Sequence, residues 1–150
     1  MIMDRLSNNE ALLLCAILHT MKHKISDIAL IDLMVVLCVD RAIRQRMPKY
    51  ATYNDFVRCE SLFEHALNRK FKEMQPMIIN AMSMLLMSGM IINIEGNSVS
   101  LSMEGSKMAD EISGINSKAV EEFITASKHL AYLTSSKDVS DMYNDLKIVL

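Results

Sequence analysis

The chain has 150 residues, of which 51% are hydrophobic, and its formal net charge is −2. A chain of this length and apolar content folds as one domain without disulfide or metal staples. Its four glycines are isolated, which excludes the glycine-rich loops that hold nucleotide phosphates. The slightly acidic balance argues against nonspecific nucleic-acid binding by the chain as a whole.

The cysteines and the apolar runs indicate the compartment. Cys15, Cys38 and Cys59 lie in apolar or helical segments, which is typical of buried thiols in a reducing environment. No signal-peptide pattern opens the chain, and neither long apolar run, 29–39 or 77–94, provides the roughly 20 uninterrupted apolar residues that span a bilayer. We therefore expect a cytoplasmic protein.

Two helices are predicted at the start of the chain. The capping box Ser7-x-x-Glu10 precedes the first, whose apolar residues share one face. Those residues are Ala11, Leu14, Leu18, Met21 and Ile25. Ser26 or Asp27 is expected to cap a second helix over 28–47, apolar nearly all round at first, which Pro48 ends.

The middle of the chain carries further helix signals. The signatures Thr52-x-x-Asp55 and Ser61-x-x-Glu64 predict a short turn and then a helix to about Lys72. Pro76 suits the first turn of another helix, which Gly89 stops. The inward face of that helix is predicted to consist of Ile78, Ala81, Met82, Leu85 and Leu86.

A switch to alternating apolar residues predicts a β-hairpin over 90–101. With Gly96-Asn97 as a two-residue turn, the expected partners are Glu95 with Ser98, Ile94 with Val99, and Ile92 with Leu101. This register buries Ile92, Ile94, Val99 and Leu101 on one face and leaves Asn93 opposite Ser100 outside.

Three helices are predicted after the hairpin. Ser102 can cap the first, Gly114 breaks the chain, a long helix covers 117–134, and Ser135-x-x-Asp138 can cap a last short helix. The apolar end of the chain, 146–150, is expected to dock. Met108 and Ile112 are expected on the apolar side of the first of these helices. In the long helix, the residues expected to point inward or toward a partner are Val120, Phe123, Ile124, Leu130, Ala131 and Leu133. The last helix carries Val139, Met142, Tyr143 and Leu146.

This element order predicts a mainly α protein with one β-hairpin: a winged-helix-like core, about 8–113, and a helical C-terminal arm, about 114–150. In a DNA-binding relative the helix before the wing would read bases, but here 76–88 contains no Lys or Arg. The hairpin tip, 95–97, is acidic. We therefore predict contact with protein instead of DNA.

The outward residues of that helix are Asn80, Ser83, Met84 and Met87, and flexible methionines suit an adaptable binding surface. The alternative is that the methionines are core residues packed against the C-terminal arm. The residues predicted to bind a partner are Asn80, Met84, Met87, Tyr132, Tyr143 and Leu146.

A basic cluster consists of Arg41, Arg44, Arg46 and Lys49, continued by Arg58. It could grip phosphates or an acidic partner. The alternative is a solvated helix end, where cations favour the negative end of the helix dipole.

Metal binding and catalysis have weak signals. Cys15, His19 and His23 are spaced along one helix face, but tetrahedral zinc needs a fourth ligand that the spacing does not supply. Catalytic motifs of the common hydrolase and metalloprotease types are absent. We predict no catalytic, metal or cofactor-binding residues, and no enzyme.

Several stretches carry a family likeness: residues 9–13, the apolar run 30–37 followed by Arg41 or Arg44 and by Met47-Pro48, Phe71 through 89–91, and the tail from Ala126 and Leu130 through Tyr143 to 146–148. In these stretches the chain resembles the middle components of bacterial three-component ABC-ATPase defence systems, and the resemblance covers most of residues 8–148. The family includes the small accessory subunit of Lamassu-type anti-phage and anti-plasmid systems.

The resemblance implies an accessory subunit that binds a large SMC-like ABC ATPase and bridges it to an effector such as a nuclease. DNA would then be contacted only indirectly, through the complex. The alternative is a winged-helix transcription regulator that dimerises through 117–134 and contacts phosphates through Arg41, Arg44, Arg46 and Lys49.

Overall fold

The computed structural model describes residues 8–22, 27–96 and 98–149. In these residues the protein is mainly α with one antiparallel β-hairpin, as predicted. The helices are α1 Asn8–Lys22, α2 Ile28–Val39, α3 Arg41–Arg46, α4 Tyr53–Glu60, α5 Glu64–Met87, α6 Met103–Ser113, α7 Lys118–Leu133 and α8 Val139–Asp145. The strands are β1 Ile91–Glu95 and β2 Ser98–Leu101, and Met47–Lys49 and Ser61–Phe63 form 3-10 turns.

Three predicted helix caps are confirmed, at Asp27, Thr52 and Ser102. In each, the side chain accepts a hydrogen bond from a backbone N–H of the first turn, which otherwise lacks a partner. Ser117, which was not predicted to be a cap, caps α7 in the same way. The capping box at 7–10 and Ile25 are not covered, because Ser7, Ile25 and the side chain of Glu10 lie outside the described residues.

The predicted helix 28–47 is in fact two helices. Asp40 has an extended backbone (φ −66°, ψ 122°), which ends α2. Its carboxylate then caps α3 by accepting a hydrogen bond of 3.0 Å from the N–H of Ile43. The apolar pattern alone predicted one helix because it does not register this local capping.

The predicted break between Lys72 and Pro76 is absent. A single 24-residue helix, α5, runs through Pro76, and Ser61 does not cap it. Its buried residues continue across the proline: Leu67, Phe71, Met74, Ile78, Ala81, Met82 and Leu85. Packing of this stripe outweighs the roughly 3 kcal/mol cost of an interior proline. Leu86, predicted inward, is 39% exposed.

The hairpin forms, but its register differs from the predicted one by one residue. Glu95 pairs with Ser98 as predicted, whereas Asn93 pairs with Val99 and Ile91 with Leu101, because a bulge lies between Asn93 and Glu95. Ile91 is therefore buried, and Ile92, predicted to be buried, is 51% exposed. The side chain of Ile94 lies outside the described part.

Helix α6 begins against the turn that joins α5 to β1. The Ser102 hydroxyl donates to the carbonyl of Gly89 at 2.5 Å, while Gly105 lies directly on the Met90 backbone. A Cβ on Gly105 would sit 1.9 Å from the Met90 carbonyl oxygen, so no larger residue fits there. This contact fixes α6 to the base of the hairpin.

The segment after Gly114 is helical, and it belongs to the same core as the rest of the chain. Phe123, Ala126 and Leu130 of α7 are buried at 1% exposure or less, and α7 contacts α1 and α2. Residues 146–149 dock as predicted, and Leu150 lies outside the described residues. Asn68 of α5 donates to the Lys147 carbonyl at 2.9 Å and accepts from the Val149 N–H at 2.7 Å.

Candidate protein-contact surface

The outer face of the C-terminal half of α5 is apolar and exposed. The inner face of the helix is buried, whereas the outer side chains are exposed. With their exposed fractions they are Met77 (47%), Ile79 (61%), Met84 (37%), Leu86 (39%) and Met87 (90%), and Asn80 and Ser83 lie exposed among them. We call this set of seven residues the α5 face.

The α5 face carries no charge. No charged residue occurs in the sequence between Glu73 and Glu95, so neither the exposed helix nor the turn that follows presents one. Exposed helical surfaces normally carry charged side chains opposite their apolar stripe. A large apolar surface without them is typical of a protein interaction site.

Met103, the first residue of α6, is a further exposed apolar residue. It is 74% exposed and directly follows Ser102, whose hydroxyl is bonded to Gly89 at the end of α5. The sequence pattern did not identify four of these exposed residues: Met77, Ile79, Leu86 and Met103. The absence of charged residues between Glu73 and Glu95 was the signal that could have identified this surface. However, the helix was predicted to begin at Pro76, and Leu86 was assigned to its inner face.

The predicted partner-binding residues divide into two groups. Asn80, Met84 and Met87 are exposed on the α5 face, so the alternative in which the methionines are core residues is wrong for both of them. Tyr132, on α7, is 71% exposed.

Tyr143 and Leu146 are buried, at 8% and 0% exposure, which corrects their prediction as contact residues. The Tyr143 hydroxyl donates to the Ala29 carbonyl at 2.6 Å and ties α8 to α2. Burial raises the pKa of this hydroxyl, which keeps it protonated and able to donate. Both residues stabilise the fold.

The basic cluster does not form a common surface. Arg44 is only 6% exposed, and its Nη1 donates to the Val39 carbonyl at 2.9 Å. Arg46 is held in an ion pair within the fold. Of the four predicted residues only Arg41 and Lys49 are fully on the surface, as is Arg58. The prediction of a four-residue phosphate-gripping cluster is therefore wrong for Arg44, and Arg46 reaches the surface only in part.

Arg46 is engaged by Glu60, which is 1% exposed. Its Nε and Nη2 donate to the two carboxylate oxygens at 2.9 and 2.7 Å, and the Tyr50 hydroxyl donates to the same carboxylate. The hydrogen bonds with Glu60 raise the pKa of Arg46, and burial raises that of Tyr50. The burial of Glu60 was not predicted from the sequence, although Glu60 follows the buried Phe56 by four residues and so shares its inner helix face.

Cys15 and His19 lie in the core, at 3% and 2% exposure, and His23 is outside the described residues. The His19 ring packs edge-on against Phe123, with ring centroids 5.9 Å apart. Burial raises the pKa of Cys15 to about 11, which disfavours the thiolate that binds metals. Within 8–22, 27–96 and 98–149 there is no group of three or more potential metal-binding side chains.

No protein-family model, no curated protein and no solved structure matches this chain. Among the helices of the described ranges, none combines the length and the hydropathy that crossing a membrane requires.

Proposed function

We propose that this protein is a non-catalytic accessory subunit that binds another protein through the α5 face. The observation that carries the proposal is the exposure of five large apolar side chains on a helix face without charge. Burying such a face against protein removes apolar area from water at about 25 cal/mol per Å², with no cost for desolvating ions. The methionines can adjust to the shape of the partner.

The family resemblance supplies the identity of the partners in this proposal. The protein would bind an SMC-like ABC ATPase and bridge it to an effector such as a nuclease, in an anti-phage or anti-plasmid defence complex. The hairpin after α5 would then be the wing of a winged helix that contacts protein, and the complex would act in the cytoplasm.

A DNA-binding regulator receives less support from the structure. The helix in the base-reading position would be α5, and its exposed C-terminal half offers no cation to phosphates. Arg44 and Arg46, two of the four residues that this alternative needs, are engaged by Val39 and Glu60.

Co-expression with the products of adjacent genes tests the proposal. The Met87→Glu variant places a charge at the most exposed position of the α5 face and should abolish co-purification of the partner. Val149→Glu is the matched control, because Val149 is also apolar and 79% exposed but does not belong to the α5 face. It follows α8, and its N–H is bonded to Asn68 in the N-terminal half of α5. Equal co-purification by both variants, or no partner for the unmodified chain, contradicts the proposal.

A further inference from the structure

A cleft separates α3 from the N-terminal half of α5 and encloses about 210 Å³. Its apolar walls are formed by Ala42, Ile43, Phe63, Ala66 and Leu67, and its charged residues are Asp40, Arg46, Glu60 and Lys70. This volume is below the roughly 300–1,000 Å³ of sites for small organic ligands. It suits a single apolar side chain instead.

Both ion pairs of the cleft have their cation on the outside. Arg46 is 32% exposed against 1% for Glu60, and Lys70 is 38% exposed against 19% for Asp40. Although burial opposes it, the hydrogen bond from Ile43 and the contact with Lys70 hold the pKa of Asp40 below its usual value, so this carboxylate remains ionised. The rim of the cleft therefore presents cations to an approaching ligand, while the carboxylates lie deeper.

The cations retain hydrogen-bond donors. Arg46 uses Nε and Nη2 for Glu60, and within the described residues no hydrogen bond engages its Nη1. Lys70 contacts Asp40 at 3.1 Å through one ammonium group that has three donors. Glu60, in contrast, is already bound by Arg46 and Tyr50. The unused donors favour an anionic ligand, and a carboxylate matches a guanidinium well.

We propose that this cleft binds an acidic segment of a partner polypeptide, with one aliphatic side chain of that segment inserted between α3 and α5. Leu62 and Phe63, 79% and 47% exposed on the adjacent 3-10 turn, extend the apolar contact beyond the cleft. Aliphatic insertion anchors the segment, and its acidic residues pair with Arg46 and Lys70.

This inference rests on the proposed function, because a subunit that bridges two proteins needs two separate surfaces. The cleft and the α5 face lie on different halves of one helix. From Leu67 to Met84 the separation along the axis is about 25 Å at 1.5 Å per residue. One partner can therefore occupy each surface without excluding the other.

A blocked tetrapeptide, acetyl-Glu-Leu-Leu-Glu-amide, is the probe, titrated into the isotope-labelled protein and followed by amide chemical shifts in NMR. We expect saturable shifts at Ile43 and Leu67 with a dissociation constant on the order of 1 mM. Acetyl-Gln-Leu-Leu-Gln-amide lacks the charge, and acetyl-Glu-Ala-Ala-Glu-amide lacks the anchor. Absence of shifts, or shifts of equal size with either control peptide, overturns the proposal.

Two variants locate the binding. Ala66→Phe fills the cleft from an exposed helix position and should weaken the peptide at least about tenfold, whereas Ala51→Phe, at an exposed position outside the cleft, should not. Lys70→Gln should weaken it about two- to fivefold, as expected for a partly exposed ion pair. Unchanged affinity of Ala66→Phe places the peptide elsewhere and overturns the assignment.

The two proposals fail separately. If the peptide does not bind but Met87→Glu abolishes co-purification of a partner, only the assignment of the cleft is wrong. If the peptide binds and no partner co-purifies, the cleft stands and the proposed accessory role of the α5 face falls.

Discussion

Arg46 binds the buried carboxylate of Glu60 with two hydrogen bonds of 2.9 and 2.7 Å, across fourteen residues of sequence. The Phe63 ring covers the guanidinium, whose central carbon lies 4.9 Å from the ring centroid. The pair joins α3 to α4. Arg46 therefore stabilises the fold, although it stands in a sequence cluster that resembles a phosphate-binding patch.

Arg46→Ala should lower the free energy of unfolding by about 3 kcal/mol, because it leaves Glu60 buried without its counter-charge. Arg41→Ala, at an exposed position of the same helix, should stay within about 0.5 kcal/mol of the unmodified protein. Urea unfolding measures both. Similar values for the two variants would show that the ion pair does not support the fold.

Gly105→Ala should destabilise the protein by about 2–3 kcal/mol, because the new methyl group would overlap the Met90 carbonyl and push α6 away from the hairpin. Gly114→Ala is the matched control. Its Cβ would meet the Glu111 carbonyl oxygen at an ordinary 3.5 Å, and its φ is not in the left-handed region. Thermal unfolding compares them, and equal melting temperatures would refute the close packing of α6 on Met90.

Burial, and secondarily Asp27, raises the pKa of Asp32 to about 6. Since the pKa of an unfolded aspartate is near 3.9, the folded state holds its proton more tightly, and stability falls as the pH rises from about 4 to 6. Asp32→Asn should therefore stabilise the protein at pH 7, by about 1 kcal/mol after allowance for solvent screening of this partly exposed group.

The gain from Asp32→Asn should disappear below about pH 4, where both states of Asp32 are protonated. Chemical unfolding of both proteins across this pH range measures it. A gain that is constant with pH would mean that the titration of Asp32 is not its cause.

Lys147 adopts a left-handed backbone conformation (φ 60°) after α8. The Ile148 N–H donates to the Tyr143 carbonyl at 2.9 Å and the Lys147 N–H to the Asn144 carbonyl at 3.1 Å, which is a Schellman motif. Lys147→Gly should stabilise the protein by about 0.5–1 kcal/mol, because glycine adopts this conformation without strain. A loss of stability in urea unfolding would contradict this reading of the α8 terminus.

Local chemistry explains which elements the sequence predicted correctly. The caps at Asp27, Thr52 and Ser102 depend on a side chain and a backbone N–H two or three residues away, so the sequence contains both partners. The end of α5 likewise depends on one residue, Gly89, which adopts a φ of 77°.

Long-range packing explains the errors. A proline such as Pro76 is typical of a helix start. Here the helix continues through it because Phe71 and Ile78, on either side, are buried in the same core. The register of the hairpin depends on a bulge that apolar residues at 91, 92 and 94 cannot specify. The burial of Tyr143 and the pairing of Arg46 with Glu60 join distant segments. Residue type alone therefore suggested a surface role for Tyr143 that the fold does not allow, and it could not reveal that Arg46 also stabilises the fold.

Methionine oxidation by peroxide tests the central claim most directly, because it reports the exposure of the α5 face in the free protein and in the assembled complex. In the free protein Met87, which is 90% exposed, should oxidise quickly and the buried Met34 and Met47 slowly. In the complex with a protein encoded beside this chain, we predict that the oxidation of Met84 and Met87 slows at least about tenfold. Unchanged oxidation of both in a complex that has formed would show that the partner binds elsewhere and would contradict the account.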